Sequence, residues 1–115
     1  RPQMRKLLTV ILLFGVTFAQ TPEKVSPDVY NVVFENENVK VLEVTFEPGQ
    51  SDKMHRHNRM VYYVIEGSTM QITSSNGTVN VAEIKEGSSA QQDPVVHRVK
   101  NIGKTRARLI VVEEK

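Results

Sequence analysis

The sequence predicts an all-β fold, either a β-sandwich or a barrel, and three observations support this prediction. Short segments in which apolar and polar residues alternate follow one another from residue 30 to the end of the chain. Turn signals rich in glycine, proline, asparagine and serine separate these segments. No segment after residue 29 shows a convincing helical period. Many short strands with frequent turns are typical of sandwiches and barrels.

The first 19 residues are predicted to form a signal peptide. Arg5 and Lys6 provide a basic region, the apolar run LLTVILLFGVTF follows, and Ala19 ends a small-residue cleavage site. This run is short for a membrane span, which needs roughly 20 residues. An uncleaved anchor and a buried helix are the alternative interpretations. We therefore expect a periplasmic or secreted protein without a stable membrane anchor.

Charge and cysteine content narrow the possible functions. Residues 1–19 hold three of the 15 Lys and Arg residues and none of the 13 Asp and Glu residues. The remainder therefore has 12 basic and 13 acidic residues, which gives no argument for a nucleic-acid partner. The absence of cysteine from the sequence excludes disulfides, thiolate metal sites and cysteine nucleophiles. We expect a small-molecule ligand or substrate and no nucleic acid.

The predicted strands can be followed along the chain. Residues 20–35 should form a polar leader and a first strand, and residues 36–115 a single barrel domain. The strand segments of that domain are VKVLEVTF, MVYYVI, TMQIT, TVNVAEI, VVHRV and ARLIVVEE. Pro48-Gly49 ends the first of these, and Asn76-Gly77 predicts a hairpin because both residues tolerate positive φ.

The segment MVYYVI is apolar on both faces, which indicates a central strand. Met60, Tyr62 and Val64 share one face because side chains alternate along a strand, and this face would line a barrel. The opposite face would pack against a second sheet or a partner subunit.

The three histidines of the chain suggest a metal site. His55 and His57 would point to the same side of an extended strand. Two such imidazoles can bind a divalent ion at about 2.0–2.1 Å from each nitrogen. Antiparallel pairing could bring His97 alongside them. Alternatively, the first two form a solvated or hydrogen-bonded surface pair, and His97 is a buried or surface histidine without a ligand role.

The stretch from Gly49 to Gly67 resembles the first motif of the cupin family. Gly49 is followed by QSDKM, by His55-Arg56-His57, and by the segment YVIEG that ends at Gly67. The spacing after His57 is one residue shorter than in the family. The position of the family's glutamate falls on Met60.

A second stretch resembles the other cupin motif. Nineteen residues separate Gly67 from Gly87, which is followed by His97 and Asn101 in HRVKNIG. The sequence has QQDPVV where the family usually has proline-x-glycine. The resemblance covers about residues 36–114. We expect Asn101 to shape a turn through its side chain and its tolerance of the left-handed conformation.

The resemblance implies a cupin-type double-stranded β-helix, which is a jelly-roll barrel, and a homodimer. It also implies that His55, His57 and His97 bind a divalent transition metal ion, with Fe, Ni, Zn, Cu and Mn as candidates. Three neutral nitrogens leave more net positive charge on the ion than a set that includes a carboxylate. They also leave positions open for water, an anionic substrate or dioxygen.

Further residues are candidates for a substrate pocket around this ion. Tyr62 could donate a proton or a hydrogen bond; otherwise it is a core residue. Met60 could offer its thioether to a soft ion such as Cu(I); otherwise it is a flexible apolar residue of the pocket wall. Gln91 and Gln92 would lie at the mouth of the barrel, unless they belong to a solvated loop. Arg59, together with Lys53, could attract a carboxylate, although surface charges are common.

Two functions from different classes follow. The first is an exported metal-dependent enzyme, an oxygenase or isomerase that acts on a small organic acid. The second is a non-catalytic protein that binds a metal ion or a small ligand. A weaker third interpretation is a metal-free cupin whose histidines shape a ligand pocket.

Overall fold

The computed structural model describes residues 19–115, so the predicted signal peptide lies outside the described residues except for Ala19. One short helix, α1 (Pro22–Val25), precedes the strands of this part of the chain. The strands are β1 (Tyr30–Glu35), β2 (Val39–Phe46), β3 (His55–His57), β4 (Met60–Glu66), β5 (Ser68–Ser74), β6 (Val79–Ile84), β7 (Ser89–Gln92), β8 (Val95–Asn101) and β9 (Ala107–Glu114). None of the helices in residues 19–115 has the length and apolar character that crossing a membrane requires.

The strands form two antiparallel sheets, which confirms the predicted all-β class. The larger sheet has the order β1-β2-β9-β4-β7, and the smaller sheet has the order β3-β8-β5-β6. β1 lies at one edge of the larger sheet, where it pairs with β2 from Tyr30 to Glu35. The chain therefore enters the larger sheet directly after α1.

Two elements of the fold were not predicted from the sequence pattern. α1 begins at Pro22 within the stretch expected to be an irregular leader, and proline is favoured at a helix start. β7 has no apolar alternation, and its strand conformation depends on its pairing with β4, in which Met60 lies opposite Gln92. Pairing between distant segments thus fixes a strand where local sequence gives no signal.

The predicted alternation along β2 and β4 is confirmed. Leu42, Val44 and Phe46 are buried between the sheets, with exposed fractions of 0 to 3%. Val64 is buried on the same side of the larger sheet, whereas Tyr63 on the opposite side is half exposed. The apolar core therefore lies between the two sheets, where the side chains of β2 and β4 meet those of the smaller sheet.

The hairpin between β5 and β6 is confirmed, but its backbone differs from the expectation. Gly77 has a φ of +90°, and the side chain of Asn76 accepts a hydrogen bond from the backbone N–H of Thr78 at 3.0 Å. No residue other than glycine has a positive φ within residues 19–115. Gly77 therefore takes the positive φ of this hairpin, and Asn76 acts through its side chain. The expectation that Asn101 uses the left-handed conformation is wrong, because Asn101 lies in β8.

Asn101 joins three segments at the end of β8. Its side chain is fully buried, and its Oδ1 accepts hydrogen bonds from the Ser68 hydroxyl (2.8 Å) and the Gly103 N–H (2.9 Å). Its Nδ2 donates to the carbonyl oxygens of Phe46 (3.0 Å) and Thr105 (2.8 Å). The amide thus uses both donors and both acceptor sites.

We expect Asn101→Ala to lower the free energy of unfolding by about 2–5 kcal/mol, because it leaves buried polar groups without partners. Urea denaturation would measure this loss. Asn31→Ala, at an exposed position of β1, is the matched control and should change stability by less than about 0.5 kcal/mol. A similar small effect for both variants would contradict the importance of this hydrogen-bond cluster.

Candidate metal centre

The three histidines converge because β3 pairs with β8. The antiparallel register places His55 directly opposite His97. His55 and His57 both point inward, whereas Arg56 between them is exposed. The ring centroid of His97 lies 4.8 Å from that of His55 and 5.4 Å from that of His57. The ligand atoms that the three rings offer lie within 4.8 Å of one another, as the predicted clustering requires.

The cluster is buried, and burial favours the neutral imidazole at His55 and His97. Exposed fractions are 0% for His55, 4% for His57 and 6% for His97. Burial lowers the pKa of His55 to about 4, although a hydrogen bond to the Lys53 carbonyl acts in the opposite direction. Burial and the two neighbouring rings lower the pKa of His97 to about 3. A neutral imidazole is the form that binds a metal ion.

Two of the rings have their Nδ1 atoms held by oxygen acceptors. Nδ1–H of His55 donates to the Lys53 carbonyl at 2.7 Å. Nδ1–H of His57 donates to Oε1 of Glu113 at 2.9 Å, and the other oxygen of that carboxylate accepts from the Asn58 N–H at 2.7 Å. Because a carbonyl and a carboxylate only accept, these contacts assign the hydrogen of each neutral ring to Nδ1.

The opposite nitrogens of the same two rings face each other. Nε2 of His55 lies 3.1 Å from Nε2 of His57. With the hydrogens on Nδ1, both Nε2 atoms direct their lone pairs into the space between the rings, as two ligands of one ion do. An ion about 2.1 Å from each nitrogen, at an angle between about 90° and the tetrahedral value, holds the two nitrogens about 3.0–3.4 Å apart. The observed separation meets that requirement.

A family comparison agrees with this geometry. Residues 42–113, well over half of the chain, match the family model described as the cupin domain. The chain belongs to the cupin family. The resemblance of the two histidine motifs to cupin motifs is thereby confirmed.

Solved cupin structures share the fold of this chain. A cupin domain from Bordetella pertussis Tohama I has 24% identity and a TM-score of 0.69, covering 88% of this chain and 99% of its own. An RmlC-like cupin with a double-stranded β-helix fold from Methanocaldococcus jannaschii has 18% identity and a TM-score of 0.60, covering 75% and 78%. No curated protein matches this chain significantly. The predicted double-stranded β-helix is confirmed by these structures.

The donor set of this cupin fits a divalent transition metal ion. Imidazole nitrogen suits ions such as Zn, Cu, Fe and Ni. Nδ1 of His97 is buried and has no hydrogen-bond partner within residues 19–115. A bound ion near this ring would account for a polar atom that is buried there without a partner. The family's glutamate position holds Met60, which offers no oxygen, and the carboxylate of Glu113 contacts the cluster at Nδ1 of His57.

An apolar cavity of about 230 Å³ adjoins the cluster between the two sheets. Polar groups enter it from the two histidines His57 and His97, from two tyrosines and from one glutamine, while aliphatic side chains, one phenylalanine and methionines provide the remaining wall. The lining consists of Tyr30, Phe46, His57, Met60, Tyr62, Met70, Ile72, Ile84, Gln92, Val95, His97, Val99, Leu109 and Val111. The barrel therefore presents a mostly apolar cavity beside the histidines.

The predicted pocket residues divide into two groups. Met60, Tyr62 and Gln92 line the cavity. Gln91 does not, because it lies opposite the half-exposed Val61 on the outer face of the larger sheet.

The two cations expected near the ion also lie outside the cavity. Arg59 is half exposed, and its Nε lies 3.8 Å from a carboxylate oxygen of Asp93. Lys53 is exposed on the other side of the smaller sheet, where it lines a surface groove. A carboxylate inside the barrel would therefore meet neither side chain.

Three residues beside the cluster were missed by sequence reasoning. Glu113 holds His57, as described above, and Tyr30 and Asp52 form a second contact chain. The Tyr30 hydroxyl donates to Oδ2 of Asp52 at 2.6 Å, and the same oxygen lies 3.5 Å from Nδ1 of His55. The Val99 N–H donates to Oδ1 of Asp52 at 2.7 Å. Burial raises the pKa of Asp52 to about 6 and raises that of Tyr30 well above its usual value.

The sequence contained one usable signal for these residues. Glu113 occupies a position of ARLIVVEE at which inward-facing residues would be apolar, and a buried acid in a strand usually has a polar partner. Asp52 and Tyr30 gave no comparable signal, because each lies at the border of a strand or loop. Their roles follow only from contacts between residues 22 positions apart.

We expect Glu113→Gln to weaken metal binding about 10- to 100-fold, because an amide cannot accept hydrogen bonds from both His57 and Asn58 through its two terminal atoms. A competition titration with a chelating indicator would measure the affinity. Glu114→Gln, at the adjacent exposed position, is the control and should leave the affinity unchanged. Equal affinities for the two variants would show that the carboxylate does not orient His57.

Proposed function

We propose that this cupin is an exported metal-dependent enzyme of the oxygenase or isomerase type, acting on a small organic acid. The convergence of the bare Nε2 atoms of His55 and His57 at 3.1 Å carries the proposal, because it fits one transition metal ion. His57 and His97 also line the apolar cavity, so the ion's remaining positions can be reached from it. Export rests on the signal-peptide pattern of residues 1–19.

The cavity lining refines the class of substrate. Among the lining residues, all within residues 19–115, none is a lysine, arginine, aspartate or glutamate. A substrate anion therefore has to be balanced at the metal centre, since a charge elsewhere in the cavity would be desolvated without a partner. We infer a small acid whose oxygen reaches the ion and whose body is apolar.

The residues of this chain would act by position, proton transfer and exclusion of water. A bound ion supplies Lewis acidity, which polarises a substrate oxygen. Tyr62 lines the cavity and is placed to donate a proton or hydrogen bond to the substrate. Gln92, opposite Met60 on β7, can hydrogen-bond a second polar group of the substrate. The apolar wall keeps bulk water away and strengthens these interactions.

The second candidate is a non-catalytic cupin that binds a metal ion or a small ligand. The small number of polar groups in the cavity lining favours this non-catalytic candidate. The Tyr30 hydroxyl already donates to Asp52, so Tyr62 is the remaining candidate proton donor within the described lining. The two candidates share the metal centre and differ in turnover.

The first test is metal content by plasma mass spectrometry of the purified protein beside His55→Gln/His97→Gln. We expect about one equivalent of a transition metal per chain, lost in the double variant, because the three rings provide the ligands. Circular dichroism would check that the variant keeps its strands. An absence of metal after incubation with Fe(II), Ni(II), Cu(II) or Zn(II) would contradict both metal-dependent candidates.

The second test separates enzyme from binding protein. Oxygen uptake and substrate consumption would be measured with a panel of small carboxylic acids. Tyr62→Phe should reduce turnover about 100-fold or more while retaining the metal, because it removes the proton donor alone. Tyr63→Phe, the neighbouring residue on the exposed face, is the control and should keep full activity. A loaded protein that turns over no acid would favour the non-catalytic candidate.

We also propose that the protein is a homodimer through the outer face of the larger sheet. A row of apolar side chains crosses four neighbouring strands there, from Phe34 through Val41 and Val112 to Val61. The exposed fractions of Phe34 and Val61 are 54% and 50%, and a contiguous exposed apolar face often marks an interface.

Val61→Glu should convert the dimer to a monomer in sedimentation velocity, because it places a charge in the apolar row. Val81→Glu is the matched control, since Val81 is 61% exposed on β6 of the other sheet. Its oligomeric state should match that of the unmodified protein. A monomeric unmodified protein would contradict the proposed dimer.

A further inference from the structure

The outer face of the smaller sheet carries a groove on the opposite side from the metal centre. His97 and Val99 of β8 point inward, so Arg98 and Lys100 between and after them point outward and are exposed. On β5, Thr73 lies opposite Arg98 and Gln71 lies opposite Lys100. These side chains therefore form adjacent rows on one face.

The loop before β3 closes this face into a concavity. Ser51 forms an isolated bridge with Lys100, and the Asp52 N–H donates to the Val99 carbonyl at 3.0 Å. The resulting groove has a volume of about 460 Å³. It is lined by Ser51, Asp52, Lys53, Met54, Gln71, Thr73, Arg98 and Lys100.

Three cations line the groove without an ion-pair partner among the described residues. Within residues 19–115, Lys53, Arg98 and Lys100 form no ion pair, whereas five other cations do: Lys40, Arg59, Arg106, Arg108 and Lys115. Asp52 is the one carboxylate among the groove residues, and it is 5% exposed. Its two oxygens are occupied by the Tyr30 hydroxyl and the Val99 N–H. The accessible part of the groove is therefore positively charged.

We propose that this groove binds the phosphate or sulfate group of a small ligand. One guanidinium and two ammonium groups match an anion that has several oxygens, because each can donate to a different oxygen. The neutral side chains of Gln71 and Thr73 lie on β5 beside Lys100 and Arg98, and they can add hydrogen bonds. A carboxylate offers two oxygens and would use fewer of these donors. The proposal does not depend on metal binding or on the proposed reaction.

The test is a calorimetric titration of the full chain with inorganic phosphate, at fixed pH and ionic strength. We expect saturable binding of one phosphate per chain, weakened about tenfold or more by R98Q/K100Q. K85Q/K104Q removes the same charge from unpaired lysines beside Glu83 and Glu86, and it should weaken binding less than about twofold. Equal weakening by the two double variants would overturn the proposal, because it would indicate general electrostatic attraction.

Three further arms locate and classify the site. His97→Gln should leave phosphate affinity unchanged. If this variant lost phosphate binding, the anion would bind at the histidines instead of in the groove. Sulfate should compete with phosphate more strongly than acetate, and equal competition by acetate would contradict the oxyanion class. Binding to vesicles of phosphatidylcholine and phosphatidic acid, without binding of free phosphate, would contradict a small ligand and indicate that the groove binds a membrane surface. Lys53→Gln alone tests the groove again if R98Q/K100Q does not fold.

Discussion

The antiparallel pairing of β3 with β8 places His55 opposite His97, and both faces of the smaller sheet depend on that register. Because strand side chains alternate, the pairing that turns three imidazoles inward also turns Arg98 and Lys100 outward. A one-residue shift of β3 against β8 would turn His55 and His57 to the opposite face from His97. The histidine cluster and the basic groove thus both depend on how β8 pairs with its two neighbouring strands.

Burying three imidazoles in an apolar barrel is costly unless their polar atoms have partners. The fold meets this cost for two rings with the Lys53 carbonyl and the Glu113 carboxylate, and these contacts also direct the bare nitrogens toward each other. Asn101 solves a similar problem at the end of β8, where its amide makes four hydrogen bonds. In both places polar groups are buried together with their partners, which restricts the geometry more strongly than apolar packing does.

Local sequence contained most of the fold and part of the site. Alternation identified the strands around Leu42 and Val64, and the spacing of His55 and His57 on one strand face identified two of the three clustered rings. β7 was not predicted because its strand conformation depends on pairing with β4, and local alternation does not reveal that pairing. The same pairing decides that Gln92 faces the cavity and Gln91 faces away. The contact of Glu113 with His57 was not predicted, because the two residues are 56 positions apart and the motif spacing near the histidines contains no information about it.

β3 has three residues and lies at the edge of the smaller sheet, with β8 as its one paired strand in the described sheets. Such an edge opens at a lower free energy than a central strand, and it does so without unfolding the rest of the barrel. Ligation of His55 and His97 to one ion would join segments about 40 residues apart. It would disfavour the opening of β3, because the open state would lose conformational entropy. Metal supply would then determine how long the backbone around residues 55–57 stays protected from hydrogen exchange and proteases.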